Sequence, residues 1–450
     1  MVKITSKTND IIEKEAKYLS YTTRVPYFPL VVDKAKGVYV TDIEGNEFID
    51  FLSSAAVLNT GHNHPKVEEV VIEQAHKFLH YTPAYMYHQP HTELAEKLIE
   101  ITPGNFDKRV AFAISGSVAA EGAVKAAKAY TRRNHIVSFM RSYHGTTYGS
   151  LSVSGYSSQM RRNQGTLMPD VHFVPYPDNY RCSLNDTNSY CYQECLKHIR
   201  LLFETVVSPE EVAAIIFEPV QGDGGILVPE VEFFNELHKI CAKHGILMIA
   251  DEVQTGFGRT GKLFASERYD FVPDIIALGK AIASGMPLSA IVARAEIMES
   301  WGAPQFMFNT AGNVLSCRAA LATIEIIEEE NLVANAVTIG DYMINRFNHM
   351  KDKYECIGDV RGLGLLIGLD IVKDRSTKER DIEKTKKICW RSWETGLILA
   401  FFSSSVLRIC PPLIITLEQA EHALDIIESA ISDVEKGRVS DDVLQSIKGW

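Results

Sequence analysis

A chain of 450 residues is too long for one small core and is expected to hold two domains. Its 46% hydrophobic and 23% charged residues are ordinary for a globular protein, and a net charge of −11 without a basic stripe excludes a nucleic-acid surface. The opening MVKITSKTNDIIEKEAKYLS lacks the apolar centre of a signal peptide, and the longest apolar candidate for a membrane span, 275–293, carries Lys280, two serines and Pro287. A soluble, cytoplasmic protein without membrane contact is therefore expected.

In chain order, VYVTDIEGNEFIDF (38–51) reads as a hairpin turning at Glu44-Gly45-Asn46. RVAFAIS (109–115) reads as a buried strand, followed by an alanine-rich helix over 117–133. IVSF (136–139), HFVP (172–175), AAIIFEP (213–219), ILMIADE (246–252) and DIIALG (274–279) are further strand candidates. Between them, 231–245 has apolar residues at helical spacing and a glycine stop. Strands alternating with helices imply an α/β domain with a mostly parallel sheet. Beyond about 325 the texture changes to helices at 380–395 and 417–435, with short strands around 363–372 and 406–409. That is the pattern of a smaller α+β domain completed by the N-terminal segment. The expected division is 61–324 for the large domain and 1–60 with 325–450 for the small one. Cys182, Cys191 and Cys195 lie near one another without a CxxC or a matching histidine pair, and read as reduced thiols with no metal site.

Ligands of a parallel sheet collect at the carboxyl ends of its strands. Three features fall there. Ser115-Gly116-Ser117, between a strand and a helix, lets backbone N–H groups and hydroxyls close on an anion. Asp251 follows the apolar run ILMIA, where a carboxylate is either a turn cap or a ligand for a cation. Lys280 ends DIIALG among Leu278, Gly279, Ala281 and Ile282, a setting in which an amine is either snorkelling to water or desolvated as a nucleophile. An anion cup, a carboxylate and a lysine at three strand ends of one sheet describe a pyridoxal 5′-phosphate (PLP) site.

Longer motifs carry a family resemblance over nearly the whole chain. YVTDIEGNEFIDF, GHNHPKV, ISGSVAAEGAVKAAKAYT, SYHGTTYGS, FEPVQGDGG, IADEVQTGFGRTGKLFA, ALGKAIASGMPLSA, TAGN and LRICPPL together resemble the class III (ω-aminotransferase-like) PLP enzymes. The resemblance implies fold type I, with a large domain on a mostly parallel seven-stranded sheet and a smaller α+β domain. It also implies a homodimer, or a tetramer of two such dimers, with shared active sites. Carried over position by position, Lys280 is the Schiff-base lysine and Asp251 the partner of the ring nitrogen. Ser115, Gly116 and Ser117 hold the phosphate, and Thr310 reaches the phosphate of the neighbouring subunit. Tyr143 and Val253 cover the two ring faces, Gln254 meets the ring hydroxyl, and Glu218 organises the site. Arg408 is implied as the bidentate partner of the substrate carboxylate. Tyr85, with Tyr81, Tyr87 and Tyr27, is a candidate for the side-chain pocket.

Within the family, HYTPAYMY, SYHGTTYGS, VPYPDNYR, QGDGG and ASGMPLSA are similar to the isoleucine 2-epimerases, which racemise nonpolar amino acids. Val118 and Ala120 depart from the commoner acid and asparagine near the cup. Thr146 stands where 4-aminobutyrate aminotransferases commonly carry an arginine for a distal carboxylate. Both reactions begin with Lys280 taking the Cα proton, but only an epimerase returns it to the opposite face and so needs a second acid/base. Asp223 in QGDGG is the candidate, with Tyr143, His144 or a water as alternatives. An epimerase or racemase of nonpolar, branched-chain amino acids is the leading expectation, and an ω-amino-acid aminotransferase the other.

Overall fold

Seven short runs rich in Val, Ile, Ala and Phe form one sheet, and the five inner ones are buried on both faces, which is why they read as continuous apolar stretches rather than alternating ones. The computed structural model describes residues 2–182 and 190–449. In it these strands are β1 (Lys108–Ala113), β2 (His135–Phe139), β3 (Val171–Val174), β4 (Val212–Phe217), β5 (Leu247–Asp251), β6 (Ile275–Leu278) and β7 (Ser289–Arg294). Their order across the sheet is β1-β7-β6-β5-β4-β2-β3. Pairing is parallel from β6 through β3, whereas β7 runs antiparallel to both β1 and β6. The carboxyl ends of β1, β2, β4, β5 and β6 therefore share one edge. Reading the sequence did not separate β7 from the Lys280 stretch, because Gly285 and Pro287 hid the start of a new apolar run.

Packing on the two faces explains the composition. Ile215 and Phe217 point into a cluster with Phe139, Phe233, Phe234 and Leu237. Ala214 and Ile216 face the other way, onto Ala119, Ala120, Ala123, Ala126 and Ala127 of the helix Gly116–Thr131. Alanines let that helix lie close to the sheet, and each fully buried Phe or Ile contributes about 1.5–3 kcal/mol. The helix Val231–His244 ends at Gly245, whose φ of +64° is the left-handed cap that glycine adopts without cost.

The chain divides into two compact units, Pro65–Val333 around this sheet, and Met1–His64 with Ala334–Trp450. The second unit holds the hairpin of Tyr39–Asp42 and Glu47–Asp50, extended by Val32–Lys36 and by Leu397–Ile398. It also holds an antiparallel sheet in the order Ile357–Leu363, Leu366–Asp374, Val406–Ile409, Ala400–Phe402. The single strand region expected around 363–372 is thus two strands turning at Gly364 (φ +53°), with Leu363 paired to Leu366. Leu417–Glu435 begins with a capping box between Thr416 and Gln419. Ser53, Ser54, Ala55 and Ala56 form a left-handed turn, with φ between +48° and +64°. That conformation costs roughly 1–2 kcal/mol per residue. It is tied down by Asp50 Oδ1, which accepts from the N–H groups of Leu52 and Ser53, and by Ser53 Oγ donating to the Cys410 carbonyl at 2.6 Å.

One expectation is corrected. Cys182 and Cys191 are joined by a disulfide rather than standing as reduced thiols, because their Cα atoms lie 5.9 Å apart, with Cys191 opening the helix Cys191–Thr205. No helix among the described residues is long and apolar enough to cross a membrane.

Candidate active site

The strand ends surround a cavity of about 180 Å³. Asp251, the last residue of β5, is buried in its wall. Its Oδ2 lies 2.7 Å from His144 Nδ1, and its Oδ1 accepts from the Val253 N–H at 3.0 Å. His144 is in turn held by its backbone N–H, which donates to Ser154 Oγ at 3.0 Å. The carboxylate is thus fixed in orientation on both oxygens.

Lys280 lies just beyond β6, next to the strand that carries Asp251; Asp251 is in register with Ala277. Its backbone is left-handed (φ +45°), a conformation costing about 1–3 kcal/mol for a residue with a Cβ. Gly279 precedes it, where a Cβ would meet Val253 Cγ1 at 3.2 Å and the Cα of Gly116 at 3.4 Å. A Cβ on Gly116 would likewise come within 2.8 Å of Val253 Cγ1. Val253 is therefore wedged between the lysine turn and the first turn of the helix Gly116–Thr131, where Gly116 and Ser117 line the cavity. Gly145 (φ +124°) lies against Ser117 so closely that any side chain there would collide with it.

Glu218, directly after β4, ties two loops together. Its Oε1 accepts from the Tyr143 N–H at 2.9 Å and its Oε2 from the Gly222 N–H at 3.0 Å. Burial outweighs these two donors and pushes the carboxyl up to about 7. Burial, together with the charges of Asp223, Glu218 and Asp251, pushes the Tyr143 phenol up to about 12, so this ring stays neutral. Asp223 is buried in the cavity wall, on the loop closed by the bridge between Gln221 and Leu227. Gln254 also lines the wall, packed on Gly222.

Of the residues singled out in the sequence, Gly116, Ser117, Tyr143, Glu218, Asp223, Asp251, Val253, Gln254 and Lys280 meet in this cavity. Ser115 does not line it; it caps the helix, its Oγ accepting from the Val118 N–H. Thr310 and Tyr85 are exposed, Tyr85 at 67%. Arg408 belongs to the other unit, buried on the strand Val406–Ile409, with its guanidinium 3.4 Å from the centroid of the Phe402 ring. In the sequence His144 is only an acid/base candidate; its pairing with Asp251 spans 107 positions and leaves no local signal beyond a histidine beside a glycine turn.

Two buried polar atoms in this wall, His144 Nε2 and Gln254 Oε1, have no hydrogen-bond partner among the described residues. Burying such atoms unpaired is costly, which points to a polar ligand as their complement. A helix N-terminus for an anion, an anchored carboxylate and an amine in one cavity fit pyridoxal phosphate. The model of the class III aminotransferases matches residues 20–431. The chain belongs to that family. Among class III relatives, it is 47% identical over 444 residues to the leucine/methionine racemase of Thermococcus litoralis, covering 99% of this chain and 100% of that one. It is 43% identical to the isoleucine 2-epimerase of Lentilactobacillus buchneri, covering 96% and 97%. A probable 4-aminobutyrate aminotransferase of Bacillus subtilis stands at 37%, covering 88% and 92%. The fold matches an amine transaminase of an uncultivated Pseudomonas species in its PLP-bound form, with a TM-score of 0.83 and 30% identity over 90% of this chain and 94% of that one. The cofactor of this class III enzyme is pyridoxal 5′-phosphate.

Proposed function

We propose that this chain is a cytoplasmic, homodimeric amino-acid epimerase that interconverts the L- and D-configurations of nonpolar, branched-chain substrates such as L-isoleucine and D-allo-isoleucine. The observation that carries the reading is that Asp223 and Lys280 both line the same cavity. The greater identity to racemases than to the 4-aminobutyrate aminotransferase supports it. So does Thr146, which offers no cation to a dicarboxylic amino acceptor.

When bound, pyridoxal phosphate supplies an electrophilic carbon for the substrate amine and a conjugated ring that accommodates the charge left at Cα. Lys280 would hold the cofactor and, with substrate bound, would take or return the Cα proton on one face. Asp223 does the same on the opposite face. Asp251, oriented by His144, holds the ring nitrogen; Tyr143 and Val253 cover the ring, and Gln254 meets its hydroxyl. Gly116 and Ser117, with Ser115 at the cap, bind the phosphate, and Thr310 reaches the phosphate held by a second copy. Arg408 binds the substrate carboxylate, while Tyr85 contributes to an apolar side-chain pocket. Such a pocket separates substrates differing by a methylene only weakly, so a range of nonpolar amino acids is expected.

The test is incubation of the PLP-loaded enzyme with L-isoleucine and no oxo acid, followed by chiral chromatography. D-allo-isoleucine should accumulate. Turnover seen only as oxo-acid formation after adding 2-oxoglutarate would instead establish the aminotransferase.

A further inference from the structure

The Asp178 carboxylate, in the turn PDNYR, is buried and doubly engaged. Its Oδ2 receives Arg141 Nη1 at 2.7 Å, and its Oδ1 the Arg181 N–H at 2.9 Å. Arg141 forms the corner after β2. Its φ is +65°, and its own N–H donates to the Gly155 carbonyl at 2.9 Å. Two residues on, this corner delivers Tyr143 and His144 to the cavity wall.

The same corner also bears on the loop that carries Asp223. The Met140 carbonyl accepts from Gln221 Nε2 at 3.0 Å, and a Cβ on Gly224 would lie 3.0 Å from the Arg141 carbonyl oxygen. Gln221 and Gly224 flank Asp223, and Glu218 closes the circuit by holding the N–H groups of Tyr143 and Gly222. Lys280 is placed by a separate element, the turn after β6. A guanidinium that is 41% exposed contributes modestly to stability, so its consequence is geometric. Proton transfer is sensitive to displacements of about 1 Å, which such a corner controls.

We propose that the Arg141–Asp178 ion pair is a positioning device that holds the 140–144 corner against the 221–225 loop and thereby sets the Asp223 face of the site. This rests on the reading of Asp223 as the second acid/base. The pair bears on the loop that carries Asp223, whereas Lys280 sits on the separate turn after β6.

The test uses the holoenzyme in D₂O, with Cα-proton exchange followed separately from the L- and the D-substrate. Arg141→Gln removes the ion pair, and Asp178→Asn removes its charge while keeping an acceptor for the Arg181 N–H. In both, exchange from the enantiomer served by Asp223 should fall at least about tenfold, and exchange from the other should stay within about twofold. Arg141→Lys should restore most of the loss. Backbone amide exchange should quicken in 219–227 and stay unchanged in 275–283. Equal losses from both enantiomers, or wild-type rates from both, overturn the proposal. Asp223→Asn is run alongside. If it lacks the one-sided loss while the Arg141 and Asp178 variants show it, the positioning device stands and the assignment of Asp223 falls. If it alone shows the loss, the reverse holds.

Discussion

His144 Nδ1 and Asp251 Oδ2 stand 2.7 Å apart with both side chains buried, so the acid facing the cavity has one oxygen committed to an imidazole and the other to the Val253 N–H. A hydrogen bond to a charged group contributes about 1.5–3 kcal/mol net, and its loss here frees the carboxylate to turn. His144→Phe should therefore weaken cofactor affinity by about tenfold or more. Equilibrium titration of pyridoxal phosphate into the cofactor-free protein measures this; unchanged affinity would separate His144 from the cofactor.

Lys280→Ala removes both the proposed anchor and one proposed proton carrier. Epimerisation should drop by at least about 10³-fold. Borohydride reduction followed by peptide mapping should fix the cofactor to the peptide containing Lys280 in the wild type and to none in the variant. Attachment at another lysine would refute the assignment.

Glu218 links activity-site geometry to pH. Burial raises its carboxyl from an ordinary value of 4.5 to about 7. Below pH 4.5 the group is protonated in folded and unfolded chains alike, and its contribution is fully present. As pH rises through about 7 the unfolded chain has already released the proton that the folded chain retains, and stability is lost, by roughly 3 kcal/mol in all. Glu218→Gln cannot ionise and should escape this loss. Thermal melts at pH 5 and pH 8 should show the wild type falling relative to the variant; parallel pH dependences would contradict the burial argument.

The Cys182–Cys191 disulfide closes a short loop, with a sequence separation of 9. By the chain-entropy estimate, such a closure restricts the unfolded chain by roughly 2–3 kcal/mol. Cys182→Ser should lower the unfolding free energy by up to about that amount, read from denaturant titration. A non-reducing peptide map that recovers both thiols free would show that the bond is absent.

Much of the fold was legible because the large sheet is mostly parallel and its inner strands are covered, so they announce themselves as apolar runs between helices. The cavity-lining residues at strand ends, Lys280, Asp251 and the Gly116–Ser117 turn, were legible for the same reason: a charged or small residue ending an apolar run stands out. The hairpin at Gly364 did not stand out, because its second strand is a continuous buried apolar run and one glycine is a weak break in LGLLIGLDIV. Nor did the left-handed turn Ser53–Ala56, whose residues carry no glycine signal and whose conformation depends on Asp50 and Cys410.

By itself the sequence determined the α/β alternation and the lysine, the aspartate and the Ser-Gly-Ser turn that end its strands, since each is a local pattern of burial, turn chemistry or residue type. Tertiary structure decided what each group touches. Only folding brings His144 to Asp251 across 107 positions, and Glu218 to the Tyr143 N–H across 75. Only folding sets Arg141 on Asp178 and joins Cys182 to Cys191. Orientation and protonation arise from contacts between distant segments, and a linear pattern carries the identity of a group without its neighbours.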